Sequence, residues 1–113
     1  MKVNTKSKRD FFILEIDGPI RAGMEYELAE KVEKIFQRPN SPKFIIDLRK
    51  VPFINSATLG VFLNMHKRAE SVNGRFALCG ANKEVDNLLE ITKLNSILET
   101  HKNLEEAIES FND

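Results

Sequence analysis

Phe44-Ile45-Ile46-Asp47-Leu48-Arg49-Lys50-Val51-Pro52-Phe53-Ile54-Asn55-Ser56-Ala57-Thr58-Leu59-Gly60 is the stretch that decides the fold. Phe44–Leu48 is apolar at successive positions rather than alternating, which marks a strand covered on both faces, as in the centre of a parallel sheet. A short loop follows. Ser56–Val72 then reads as a helix, with Leu59, Phe62, Leu63, His66 and Ala69 on one stripe and Asn73-Gly74 as its stop. The loop therefore delivers the Ser56 hydroxyl to a helix start, beyond the carboxyl end of the most buried strand. Functional groups of α/β sheets gather at such ends.

Working outward, Phe11–Ile16 reads as a strand stopped by Asp17-Gly18-Pro19. Residues 2–8 can pair with it as an edge strand through a Lys8-Arg9-Asp10 turn. Residues 24–37 carry Leu28, Val32, Ile35 and Phe36 at helical spacing, and Pro39 and Pro42 end that segment. Arg75–Cys79 is a further strand, 83–91 a helix through Val85, Leu88 and Leu89, and Ile97-Leu98 a brief strand. Leu104, Ala107, Ile108 and Phe111 outline a last helix. Strands alternating with helices predict an α/β fold: a small, mostly parallel sheet of four to five strands with about four helices, as one domain over 1–113.

Composition narrows the function. Seventeen basic and 17 acidic residues give zero net charge, which argues against a nucleic-acid footprint. It also lowers the barrier to protein association, so a homodimer stays open. Lys2, Lys6, Lys8 and Arg9 make the start basic, and Glu99, Glu105, Glu106, Glu109 and Asp113 make the tail acidic. Cys79 is the single cysteine, so no internal disulfide forms, and a lone thiol suits a reducing compartment. Nothing reads as a signal peptide, and no apolar run reaches the ~18 residues of a membrane helix. A soluble cytoplasmic protein is the simplest expectation.

Catalysis finds no machinery. Ser56 lacks the Gly-x-Ser-x-Gly elbow, and His66 lies ten residues along the same helix, about 15 Å away by rise. His101 has no evident partner. Gly18, Gly23, Gly60, Gly74 and Gly80 are scattered and build no phosphate cradle, and no His, Cys or carboxylate cluster has metal spacing. The expectation is a non-enzyme with no metal and no cofactor. Two readings of Ser56 remain: a serine at or next to the N-cap that holds a first-turn N–H, or a phosphoacceptor whose phosphate sits at the positive end of the helix dipole. Asp47 either orients the loop by hydrogen bonding or is solvated. Val61 and Met65, four apart, either widen the core contact or give the helix an adhesive patch.

The spaced pattern Asp47-Leu48…Val51…Ile54…Ser56…Leu59-Gly60 resembles the STAS domain, the family of anti-sigma factor antagonists and the related domain of sulfate transporters. Ile16-Asp17-Gly18-Pro19-Ile20, Asn73–Gly80 and Val85…Leu88-Leu89…Thr92-Lys93-Leu94 fall in the same register, so the likeness covers nearly the whole chain. The resemblance implies partner switching. The unphosphorylated chain binds an anti-sigma factor that is also a serine kinase, phosphorylation at Ser56 ends the binding, and a phosphatase resets it; ATP belongs to the kinase. It implies a partner-binding face of Ile20, Arg21, Asn55, Ser56, Ala57 and Thr58, extended along the helix by Val61 and Met65. The family loop reads Asp-Ser-Ser/Thr-Gly-Leu-Gly. Asn55 stands here for its acid, Ala57-Thr58 for Ser/Thr-Gly, and Arg21 for an acidic residue of the early turn. Two carboxylates are thereby missing and one is replaced by a cation that could pair with a phosphate. The alternative these departures support is a non-switching STAS scaffold subunit of a larger signalling or transport assembly.

Overall fold

A computed structural model describes residues 1–38 and 42–112. Pro39, expected to help end the first helix, and Asp113 of the acidic tail lie outside the described residues. The elements are β1 (Lys2–Ser7), β2 (Phe12–Asp17), α1 (Met24–Phe36), β3 (Lys43–Lys50), α2 (Ser56–Ser71), β4 (Arg75–Cys79), α3 (Lys83–Ile91), β5 (Glu99–His101) and α4 (Leu104–Asn112). They build one five-stranded sheet in the order β1-β2-β3-β4-β5. β1 is antiparallel to β2, closed by a turn in which the Lys8 N–H donates to the Phe11 carbonyl at 2.8 Å; the other pairs are parallel. The expected α/β architecture is the one observed.

The brief strand expected at Ile97-Leu98 lies two residues later. A single 3-10 turn over Leu94–Ser96 uses the intervening chain, and Leu98 is drawn into the core instead of pairing. Burial of one leucine thus outweighs the β-propensity of the Ile-Leu pair.

Because strand order advances in one direction, crossovers of one hand must place their helices on one face. α1, α2 and α3 share a core with Leu14, Ile16, Phe44, Ile46, Leu48, Phe76 and Leu78. Phe44 stacks on Phe76 at 4.8 Å between centroids and meets Phe36 edge-on at 5.5 Å. α4 covers the opposite face, where Phe11, Ile13, Ile45, Ala77 and Cys79 meet Ala107 and Phe111. Phe44, Ile45, Ile46 and Leu48 are all buried, as a strand covered on both faces requires, and Asp47 between them is buried too. The α2 stop divides its two residues' work. Asn73 takes the left-handed conformation (φ 58°), and Gly74 is needed because a Cβ there would sit 2.2 Å from the Pro42 carbonyl oxygen.

Candidate functional site

Three loops converge at the carboxyl end of the sheet: 18–23 after β2, 51–55 after β3 and 80–82 after β4. Backbone bonds tie the first two: Gly18 N–H to the Lys50 carbonyl at 2.9 Å and Ile20 N–H to the Phe53 carbonyl at 3.3 Å. The Asn82 side-chain amide ties the third, donating to the Pro52 carbonyl at 3.0 Å while its oxygen caps α3 at the Val85 N–H. Asp47, 1 % exposed, accepts from the Arg49 N–H at 3.0 Å, so of its two readings the orienting one holds.

Ser56 is not the cap of α2. Asn55 is: its Oδ1 accepts from the Thr58 N–H and from the Thr58 hydroxyl, both at 2.9 Å. An amide oxygen can serve a backbone donor and a hydroxyl donor at once, so Asn55 and Thr58 complete each other, and Thr58 is fully buried. Ser56 therefore occupies the first helical position with its hydroxyl exposed and unbonded among the described residues. No acidic side chain lies in the first turn of α2.

The rest of the expected face divides. Arg21, Ser56 and Ala57 are exposed, Asn55 and Val61 half-buried. Ile20, Thr58 and Met65 are buried, so of the expected face they expose little surface. Met65 belongs to the core because α2 packs on both the sheet and α1, which widens its buried stripe beyond a single row. Arg21 lies over the Phe53 ring, its guanidinium carbon 5.3 Å from the centroid. The nearby Glu25 carboxylate is buried and accepts from the Gly23 N–H at 2.9 Å.

Sequence reading missed the apolar part of this end. Phe53 is 38 % exposed and Ile91 78 %; with Ile54, Val85 and Leu88 they line a groove of about 380 Å³ between the 51–55 loop and α3, rimmed by Glu84 and Asn87. The only available signal was Ile91, an apolar residue off the Val85/Leu89 stripe. The other reactive candidates are occupied. Burial, with the nearby Asp47, pushes the Cys79 thiol up to about 12. His66 Nε2 lies 3.3 Å from Glu70 and His101 Nε2 2.6 Å from Glu99. No group of three potential metal ligands exists among the described residues.

The fold is thus a five-stranded mixed sheet with three helices on one face, one on the other and a serine opening the central helix. The STAS domain model matches residues 2–107, and the chain belongs to that family. It is 39 % identical over 67 residues to a Thermotoga neapolitana protein with a provisional anti-sigma factor antagonist name; the match spans 59 % of each chain. It is 22 % identical over 103 residues to the anti-sigma F factor antagonist of Paenibacillus polymyxa, covering 91 % of this chain and 88 % of that one. The crystal structure of a Thermotoga maritima protein, again provisionally named an anti-sigma factor antagonist, superposes with a TM-score of 0.90. That pair is 25 % identical, covering 98 % of this chain and 95 % of the other.

Proposed function

We propose that the chain is an anti-sigma factor antagonist that works by partner switching. The unphosphorylated protein docks its carboxyl-end face on an anti-sigma factor with serine kinase activity, and the sigma factor is released. The Ser56 hydroxyl then takes the γ-phosphoryl group of ATP held by the kinase. The new bond joins Ser56 Oγ to phosphorus, ADP leaves, and the hydroxyl proton passes to a base on the kinase. A phosphatase restores the hydroxyl. The role is regulatory, with no catalytic group of its own, and fits the cytoplasm, where sigma factors act; no helix among the described residues is long and apolar enough to cross a membrane.

The observation that carries this reading is the state of Ser56: exposed, without a side-chain bond among the described residues and at the first position of α2, two residues after Ile54 of the groove. A serine needed for the fold would be spent on the cap, and Asn55 has that task. The competing scaffold reading draws support from the same neutral cap, which removes a carboxylate a kinase could read. Affinity capture from the native cell with wild type, Ser56→Ala and Ser56→Asp, followed by phosphosite mapping, separates them. Switching predicts phosphate on wild-type Ser56 and loss of the kinase partner by Ser56→Asp. Identical partners at identical affinity for all three forms sinks it.

A further inference from the structure

We infer that Arg21 is the residue that receives the phosphate on Ser56, so that phosphorylation takes an exposed cation off the docking face by pairing it within the chain. The inference rests on the reading of Ser56 as phosphoacceptor and adds how the modified state is held.

Arg21 is exposed and has no ion pair among the described residues; its guanidinium rests on the face of Phe53 instead. A cation on an exposed aromatic ring is held weakly and can be drawn away by an anion. Its anchor is nevertheless fixed, because the Ile20 N–H is bonded to the Phe53 carbonyl. Phe53, which carries Arg21, and Ser56 are three residues apart, and the backbone bond from Ile20 ties the two loops that bear Arg21 and Ser56. The competing groups are removed. Glu25 is buried and turned to the Gly23 N–H. Position 55 is a neutral amide engaged with Thr58, and the first turn of α2 holds no acid. A dianion at position 56 thus meets no adjacent carboxylate from Asn55 or that turn, and a guanidinium offers it two parallel donors.

The same change alters the apolar surface. When Arg21 leaves the ring, the part of Phe53 it covers is bared on a side chain that also lines the groove shared with Ile91. Phosphorylation therefore removes charge on one side of the loop and uncovers apolar surface on the other, and a partner fitted to the unmodified face finds both changed.

The test installs phosphoserine at position 56 during synthesis of the full chain and follows the 31P resonance against pH in otherwise wild-type, Arg21→Lys and Arg21→Gln forms. The expected result is a second phosphate pKa about half a unit lower in wild type than in Arg21→Gln, with Arg21→Lys between, because the cation favours the dianion. The Arg21 Nε–H resonance also moves on phosphorylation. Arg21 is exposed, so the variants keep the fold, which their amide spectra check. Coincident titration curves for the three forms overturn the inference while leaving Ser56 as an acceptor. Absence of phosphate on Ser56 in cells overturns the proposed function instead and leaves these curves untouched.

Discussion

Two corners of the molecule handle polar groups in opposite ways. At the β4–β5–α4 corner, Arg75 makes a two-point pair with Glu99 at 2.9 and 2.7 Å and bonds the Ser110 hydroxyl at 2.7 Å. Its guanidinium carbon lies 4.1 Å from the Phe111 centroid, and Glu99 also meets His101 at 2.6 Å. At the carboxyl end of the sheet, Ser56 and Arg21 are exposed with no hydrogen bond or ion pair from their side chains among the described residues, and Phe53 and Ile91 face solvent. Dense mutual satisfaction is what a chain builds to hold an edge strand and a terminal helix in place. Exposed, unsatisfied groups over a rigid floor are what it leaves for something else to meet.

The comparison is broken most directly at the saturated corner. Arg75→Ala leaves Glu99 without its two-point partner and strips Phe111 of its cover, and should lower stability by about 2 kcal/mol in denaturant unfolding. A loss no larger than that of a surface substitution would show that the corner is decorative. Asn55→Ala comes next. It removes the α2 cap and leaves the buried Thr58 hydroxyl unpaired, for a loss of about 1–2 kcal/mol by the same measurement.

Acid should act on the saturated corner as well. Burial raises the Glu99 carboxyl, but its bonds to Arg75 and His101 outweigh this, and the net position is below the usual carboxylate value of 4.5. A lowered folded value means that Glu99 contributes stability above the unfolded pKa and loses it as pH falls through the folded one. Thermal melts should therefore decline below about pH 4.5 in wild type, and decline less steeply in Glu99→Gln. Equal acid slopes would remove Glu99 from the account.

The smallest effects on stability belong to the open end. Ser56→Ala and Ile91→Asp should each stay within about 0.5 kcal/mol of wild type in unfolding. Ile91→Asp should nonetheless weaken capture of the partner, since it puts a charge in the apolar groove. Unchanged capture would confine docking to α2.

Legibility followed the same division. The β3 run and the α2 stripe were readable because a strand buried on both faces and a helix buried on one leave different periods in the sequence. Ser56 was readable as a group at a helix start, but not which residue caps the helix. Asn55 and Ser56 are both good capping residues one position apart, and only the bonds to Thr58 separate them. Met65 and Val61 looked alike along the helix, and only the packed structure separates them, burying the first and leaving the second half-buried. The Ile97-Leu98 strand was misplaced because propensity there competes with burial: Leu98 goes into the core while Ile97 stays exposed.

By itself the sequence determined the element order, the mostly parallel sheet, the loop that carries Ser56 and the family likeness, all of which rest on local pattern. Tertiary structure decided what that loop offers. It made Asn55 the cap and so freed Ser56, sank Ile20, Thr58 and Met65 into the floor, set Arg21 on Phe53, and opened the groove to Ile91. The physical reason is that capping and burial depend on which distant segments meet. Three loops far apart in sequence meet here because the strands before them end at the same edge of one sheet.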